Sequence, residues 1–158
     1  MKNYPYLPEG REILYVPITD KFMALAKETA LTKSTDSVQP TGSVVVKDGQ
    51  VIGYATNRSP LGHIKFLYNL HKKGWCLRRL LKIKSGTKYW LCVGCAKHRD
   101  HSEQSAVRDA QKNDHDTNGA DLYLWGHWWC CKSCWDKIIS GGIRNVYLLD
   151  TSEQDFKR

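Results

Sequence analysis

Two short segments of the chain carry residues that could together hold a metal ion and move a proton. His101 and Glu103 lie two positions apart at the head of one predicted helix. Cys131 and Cys134 lie three positions apart at the head of another. This spacing places both sulfurs on one face of a first helical turn, where the helix dipole favours thiolates. One imidazole and two thiolates leave the fourth position of tetrahedral zinc to water, which is typical of a catalytic zinc site.

Glu103 is the residue that we expect to transfer protons at this site. Zinc lowers the pKa of its bound water to about 7, so that hydroxide is available at neutral pH. A carboxylate beside that water can take its proton and deliver it to a leaving group. The residues therefore predict hydrolytic attack on a carbon that bears an amine. A purely structural metal site is the alternative, and the joint pattern of the two segments argues against it.

Three further cysteines form a second candidate metal cluster. Cys92 and Cys95 have the spacing of half a zinc knuckle, and Cys76 could add a third thiolate. We assign His98 as the fourth ligand, with His71 as the alternative. Four protein ligands would close the site and make it structural, which suits a segment with too few apolar residues to order itself. Free thiols in a loop are the competing interpretation.

The predicted secondary structure places these motifs in an α/β framework. The predicted order is a helix over 19–31, a hairpin over 43–56, a helix over 102–112, a strand over 121–126, a helix over 131–140 and a strand over 145–150. Asp48-Gly49 is a strong hairpin signal, and the final strand–helix–strand requires at least one parallel pairing. Residues 58–100 are predicted to be an insertion within a single domain that spans 1–158.

The composition is that of an ordinary globular domain. Of the 158 residues, 41% are hydrophobic and 25% are charged, and this length can bury a sizeable core. No apolar run approaches the ~20 residues that cross a bilayer, and the N-terminal residues lack the apolar core of a signal peptide. We therefore expect a cytoplasmic protein with no membrane partner. Six cysteines, all after residue 75, indicate metal binding rather than disulfides.

Positive charge is concentrated in the middle of the chain. The formal net charge is +8, and the span from Gly49 to Arg99 contains eleven Lys and Arg but no Asp or Glu. Such a block favours phosphate-bearing partners, either a nucleotide or a nucleic acid. A solvated basic loop is the simpler alternative.

Taken together, the motifs resemble the zinc-dependent cytidine/deoxycytidylate deaminase superfamily, closest to its deoxycytidylate branch. The matching segments are 42-GSVVVKDGQVIGYATN-57, 101-HSE-103, 131-CKSC-134 and 138-IISGGIRNVYLL-149. The resemblance implies a three-layer α/β/α cytidine-deaminase-like fold with a mixed five-stranded central sheet and zinc at helix N-termini. It also implies deamination of cytosine with Glu103 as the proton shuttle. That branch tends to carry a zinc-binding insertion before its H-x-E, as in residues 76–95 here.

The resemblance also suggests substrate contacts. Asn57 should contact the sugar, and the segment from His127 to Trp129 should line the base pocket. We add Ser102 to the substrate-binding residues. Phosphate contacts are expected from Arg58, and from Arg78 and Arg79 of the insertion.

Two features depart from the family pattern. Cys130 stands where the family usually has proline, so a Cys130–Cys134 ligand pair is an alternative to the pair that spacing favours. The segment 125-WGHWWC-130 is also more aromatic than expected, which leaves the pocket shape open.

Three functional hypotheses follow. The first is a homo-oligomeric enzyme that converts dCMP to dUMP and releases ammonia. The second is a deaminase acting on cytosine or adenine in single-stranded DNA or RNA, which would need a cationic track for the backbone and aromatic side chains for stacking. The third is a non-enzymatic, zinc-stabilised nucleic-acid-binding module, against which the intact catalytic motifs argue.

Overall fold

The structure is a computed structural model that describes residues 3–36, 38–84 and 87–157. The strands are β1 (Ile13–Val16), β2 (Gly42–Lys47), β3 (Gln50–Thr56), β4 (Asp121–Trp125) and β5 (Asn145–Leu149). The helices are α1 (Lys21–Lys33), α2 (Lys65–Lys72), α3 (Leu77–Leu80), α4 (Ser102–Lys112), α5 (Lys132–Ser140) and α6 (Ser152–Phe156). Within the described ranges, no helix combines the length and the apolar character that a membrane span requires.

The strands form one mixed sheet in the order β1-β5-β4-β2-β3. β2 is antiparallel to both β3 and β4, whereas β5 is parallel to both β4 and β1. The predicted parallel pairing near the C-terminus is thus confirmed. Asp48 and Gly49 both have positive φ angles, 51° and 76°, which is the geometry of a type I′ hairpin turn. β1 was not predicted.

Helices cover both faces of the sheet, which confirms the predicted three-layer α/β/α fold. On one face, Met23 and Ala26 of α1 pack with Val44 and Val46 of β2. On the other face, α4 and α5 pack against the intervening Val45 and against β4 and β5. Side chains of a strand alternate between faces, so this one apolar run of β2 serves both halves of the core.

Two glycines let the helices approach the sheet closely. A Cβ at Gly42 of β2 would lie 2.8 Å from the backbone nitrogen of Ala30 in α1. A Cβ at Gly53 of β3 would lie 2.7 Å from the carbonyl oxygen of Ala106 and 2.7 Å from the nitrogen of Ala110, both in α4. The second approach fixes the height of α4 above the sheet, and α4 carries the predicted catalytic residue.

The residues between β3 and α4 have little apolar core of their own. α2 buries only Tyr68 and His71, and α3 buries no side chain. Trp75 and Trp90 are 74% and 75% exposed. Hydrogen bonds tie this segment to the loop after α1, from Tyr68 Oη to an Asp36 carboxylate oxygen (3.1 Å) and from the Ser59 nitrogen to Thr35 Oγ1 (3.0 Å).

Candidate active site

The N-termini of α4 and α5 bring the first predicted metal cluster together. His101 is the residue that precedes α4, and Cys131 is the residue that precedes α5. The His101 Nδ1 atom lies 3.6 Å from the Cys131 sulfur and 3.4 Å from the Cys134 sulfur, and the two sulfurs are 3.3 Å apart. Because both helices pack on the same face of the sheet, their first turns meet at one edge.

These three side chains have the geometry of a zinc site. With bond lengths of ~2.0–2.3 Å, two ligands of tetrahedral zinc lie ~3.5–3.8 Å apart. The observed separations are close to this, and nitrogen with thiolate is a donor set that zinc prefers. Cys130, the alternative ligand, is not part of this cluster. It is completely buried, and its thiol interacts with the Glu103 carboxyl group.

The pKa values of the three ligand side chains are shifted in different directions. The hydrogen bond between Cys131 and Cys134 lowers the pKa of Cys131 to about 3. Burial raises the pKa of Cys134 well above its usual range. Burial disfavours a charged His101, but its hydrogen bond with Cys131 and the negative charge of Glu103 outweigh this and raise the pKa of His101. The lowered pKa favours the thiolate form of Cys131, which is the form that binds a metal ion.

Glu103 lies beside this cluster in the first turn of α4. Its side chain is 6% exposed, and burial raises the pKa of its carboxyl group. Ser43 Oγ donates to Ser102 Oγ (2.8 Å), and Ser102 Oγ donates to a Glu103 carboxylate oxygen (3.1 Å). This chain of hydrogen bonds orients the carboxylate, and the raised pKa suits a group that must both accept and return a proton.

A cavity of about 550 Å³ opens in front of these residues. Its walls include His101, Glu103, Cys131, His127, Trp129 and Asn57. Asp36 also lines the cavity, but its Oδ1 already accepts hydrogen bonds from the Gln39 nitrogen and the Tyr68 hydroxyl. Glu103 is thus the carboxylate that is placed to act on a ligand next to the metal cluster.

The predicted substrate residues fall into three groups. His127 and Trp129 face the cavity, with ring centroids 5.8 Å apart, and burial lowers the pKa of His127 to about 4. Asn57 also lines the cavity, but its side chain is bonded to the loop before β2. Its Oδ1 accepts from Ser34 Oγ (2.6 Å) and from the Thr41 nitrogen (2.9 Å). Asn57 therefore shapes the cavity wall.

Ser102 and Arg58 do not line the cavity. Ser102 lies behind Glu103 and contacts it, as described above. Arg58 is exposed and lines a separate surface cleft together with Arg99 and Arg108. The expectation that Arg58 would meet a substrate beside the metal cluster therefore does not match its position. Adjacent residues of an extended chain point in opposite directions, so when Asn57 turns inward Arg58 turns outward.

The second metal cluster forms with a different histidine from the one assigned. Ligand atoms of His71, Cys76, Cys92 and Cys95 all lie within 4.8 Å of one another. Cys92 Sγ is 3.4 Å from His71 Nδ1, and Cys76 Sγ is 3.6 Å from Cys95 Sγ. Gly94 leaves room for the imidazole, since a Cβ there would overlap the ring.

His98, the assigned ligand, lies with the first cluster instead. Its ring packs against Tyr89 at 4.8 Å and against His101 at 5.5 Å. The short distance along the sequence from His98 to His101 keeps it on that side, whereas the last turn of α2 brings His71 to the cysteines.

Basic residues of α3 and the turn after it form another wall of the same cavity, namely Arg78, Arg79 and Lys82. The Arg78 guanidinium already contacts the carbonyl groups of Thr87 and Lys84 and the sulfur of Cys95. By contrast, the side chains of Arg79 and Lys82 make no hydrogen bond or ion pair with any residue in the described part of the chain. Sequence analysis did not single out Lys82.

The site has the features of a zinc hydrolase. Three metal ligands and a buried carboxylate lie together at the N-termini of two helices that pack on a mixed sheet. The family model for the cytidine and deoxycytidylate deaminase zinc-binding region matches residues 17–150. The chain belongs to this family. No curated protein sequence matches the chain.

Solved structures share the fold at low sequence identity. The dCMP deaminase of cyanophage S-TIM5, in complex with dCMP and dUMP, is 19% identical, with a TM-score of 0.51 over 83% of this chain and 79% of that one. A bifunctional diaminohydroxyphosphoribosylaminopyrimidine deaminase/reductase of Thermotoga maritima is 24% identical (TM-score 0.47), with 82% of this chain covering 29% of that one. A guanine deaminase of Bacillus subtilis is 18% identical (TM-score 0.47), with coverage of 87% and 70%. This chain thus spans less than a third of the Thermotoga protein.

Proposed function

We propose that the protein deaminates a free cytosine nucleotide, converting dCMP to dUMP with release of ammonia. The observation that carries this proposal is the set of residues that line one cavity. His101, Cys131 and Glu103 form one part of its wall, and Arg79 and Lys82, which have no ion-pair partner among the described residues, form another. A volume of about 550 Å³ is in the range of small-ligand sites, so a mononucleotide could meet both parts at once.

The chemical step needs little beyond the residues around Glu103. A zinc ion held by His101, Cys131 and Cys134 would supply a water that is acidic enough to lose a proton near neutral pH. The Glu103 carboxylate accepts that proton as the water oxygen bonds to C4 of the base. Glu103 passes this proton to the ring nitrogen N3. It then takes the remaining proton of the new hydroxyl group and donates it to the departing nitrogen as the C–N bond breaks, which leaves a carbonyl at C4. The Ser43–Ser102 hydrogen bonds hold the carboxylate in place for these transfers.

The neutral walls of the cavity suit a pyrimidine ring. Trp129 is largely buried at 6% exposure, and His127 stays uncharged above about pH 4. An aromatic ring and a neutral imidazole can pack against a base without placing a positive charge next to the metal. Asn57 contributes by fixing the loop that contains Thr41, which also lines the cavity.

The second metal cluster has a different proposed role. His71 and the three cysteines would give zinc four protein ligands, which closes the site to substrate. Such a metal would order a segment that lacks an apolar core. A homo-oligomer, which the family resemblance implies, stays a prediction.

A second candidate function is deamination of cytosine or adenine within a single strand. Trp75 and Trp90 are about three-quarters exposed and belong to the acid-free basic segment. Exposed aromatic rings among cations can stack with unpaired bases while the cations contact the phosphate backbone. This surface favours a polymer, whereas the cavity favours a mononucleotide.

Turnover assays separate the two candidates. Zinc-loaded protein is incubated with dCMP, deoxycytidine, CMP, dCTP and a cytosine-containing single strand, with Glu103→Gln as the control. Glu103-dependent loss of dCMP at a rate well above that of the strand would support the first proposal. Turnover of the strand without turnover of dCMP would replace it with the second. No turnover by a protein with confirmed zinc would contradict both.

A further inference from the structure

The two metal clusters are connected by a short chain of side-chain contacts. Cys95 of the second cluster and His101 of the first line the same cavity. Between them lie Arg78 and Tyr89, which also face this cavity. No motif in the sequence predicts this link, because different parts of the fold form the two clusters.

Arg78 forms the first half of this link. Its Nη1 donates to the Cys95 sulfur at 3.6 Å, while Nε donates to the Thr87 carbonyl at 3.0 Å and Nη2 to the Lys84 carbonyl at 3.3 Å. Each nitrogen of the guanidinium therefore has a protein partner. Charge-assisted contacts of this kind hold a planar group in one orientation, and here that orientation depends on where the Cys95 sulfur lies.

Tyr89 forms the second half. The guanidinium carbon of Arg78 lies 4.0 Å from the centroid of the Tyr89 ring, within the range of a cation–π contact. The same ring meets the His101 imidazole at 5.0 Å with an interplanar angle of 87°, which is an edge-to-face contact. Tyr89 thus limits how far the His101 ring can rotate about its side-chain bonds.

We propose that the second metal site stabilises zinc in the first, with Arg78 and Tyr89 as positioning residues. Zinc at His71, Cys76, Cys92 and Cys95 fixes the Cys95 sulfur, which orients Arg78, which holds Tyr89 against His101. Residues that orient a metal-bound histidine commonly change metal affinity by ~10–100-fold when they are removed. The inference depends on the proposed zinc at His101, and its test does not depend on any substrate.

The test is the rate at which zinc leaves the holoenzyme. Zinc-loaded protein is mixed with an excess of a chromogenic chelator, and release is followed with time. The kinetic phase that is missing from Cys134→Ala belongs to the first cluster. We expect Tyr89→Leu to accelerate this phase about three- to tenfold, because an edge-to-face ring contact is a modest interaction. The phase of the second cluster should change by less than about twofold, which also shows that the segment still folds.

Two matched variants guard against a general loosening of the segment. Tyr89→Phe keeps the ring and should release zinc at the wild-type rate. Trp90→Leu removes the neighbouring ring, which is 75% exposed, and should also behave as wild type. Equal first-cluster rates in Tyr89→Leu and wild type would overturn the inference, as would an equal acceleration by Trp90→Leu.

A double-variant comparison tests the route from one metal to the other. Cys92→Ser weakens the second site without touching Arg78, and it should also accelerate zinc loss from the first. If the effect passes through Tyr89, then adding Tyr89→Leu to Cys92→Ser should cause little further acceleration. Multiplied effects would mean that the two changes act independently, against the inference. Absence of any first-cluster zinc in wild type would instead refute the proposed function itself.

Discussion

Gly53→Ala should destabilise the protein and lower kcat, because both effects follow from a shift of α4 away from the sheet. Gly53 of β3 lies directly beneath α4, and a Cβ there would be 2.7 Å from both the Ala106 carbonyl oxygen and the Ala110 nitrogen. Ordinary contact begins near 3.4 Å, so the added methyl group is about 0.7 Å too close. The obstructing atoms belong to the backbone of a helix, which cannot move aside as a flexible side chain can. We therefore expect α4 to shift away from the sheet.

The size of both effects follows from this shift. Overpacking typically costs 1–3 kcal/mol, and we expect about 3 kcal/mol because backbone is involved on both sides. In a domain of this size, that lowers Tm by about 6–12 °C. Glu103 lies three residues before Ala106 on the same helix, so its carboxylate should move with α4. Since a ~1 Å misplacement can cost ~100-fold in rate, kcat should fall at least about tenfold.

Thermal unfolding and turnover on dCMP would be measured for wild type, Gly53→Ala and Val51→Ala. Val51 is on the same strand with a 39% exposed side chain, so its truncation should cost less than about 1 kcal/mol. A Tm of Gly53→Ala within 2 °C of wild type would refute the steric argument. A clear fall in Tm with an unchanged kcat would refute only the coupling between the height of α4 and the position of Glu103.

Four further predictions concern the site. The pKa of His127 is about 4 in the folded state and 6.5 when unperturbed. Because the unfolded chain binds this proton at a higher pH, the free energy of unfolding should fall by about 3 kcal/mol from pH 6.5 to 4. Urea titrations of His127→Phe should show a smaller fall over the same pH range. Arg79→Ala should raise KM for dCMP about tenfold but leave deoxycytidine kinetics unchanged. The exposed control Lys97→Ala should leave the kinetics of both substrates unchanged. Asn57→Ala should cost about 2 kcal/mol in unfolding experiments, because the Thr41 N–H loses its partner. Elemental analysis should find about two zinc ions per chain and about one in Cys134→Ala.

Local signals in the sequence were sufficient where neighbouring residues determine the structure. Asp48-Gly49 predicted the hairpin because few other pairs adopt two consecutive positive φ angles. The C-x-x-C motif predicted the start of α5 because two ligands three residues apart lie on one face of a first helical turn. α4 was predicted with the bounds that the structure shows, Ser102–Lys112. By contrast, β1 is short and is defined by its pairing with β5, a partner about 130 residues away along the chain.

Two predicted site residues, His98 and Arg58, lie elsewhere in the structure. His98 was assigned as the fourth ligand of the second cluster, with His71 as the alternative. The structure places His71 there, with its Nδ1 atom 3.4 Å from the sulfur of Cys92, 21 residues further along the chain. Arg58 was expected to contact phosphate together with the basic insertion, but it lines a separate cleft, because the extended chain turns it away from Asn57. Proximity in sequence is a poor guide to a site whose walls come from an irregular segment.

The construction of the cavity also explains why such a segment can take part in recognition. Glu103 and the metal ligands lie at the N-termini of α4 and α5, which the main core holds in place. The basic wall lies on residues that bury few apolar side chains, so its order must come from elsewhere. A metal at His71 and the three cysteines would supply that order. Loss of this metal should therefore disturb discrimination between phosphorylated and unphosphorylated substrates directly, because the basic wall loses its order. It should affect the chemical step only indirectly, through faster loss of zinc from His101, Cys131 and Cys134.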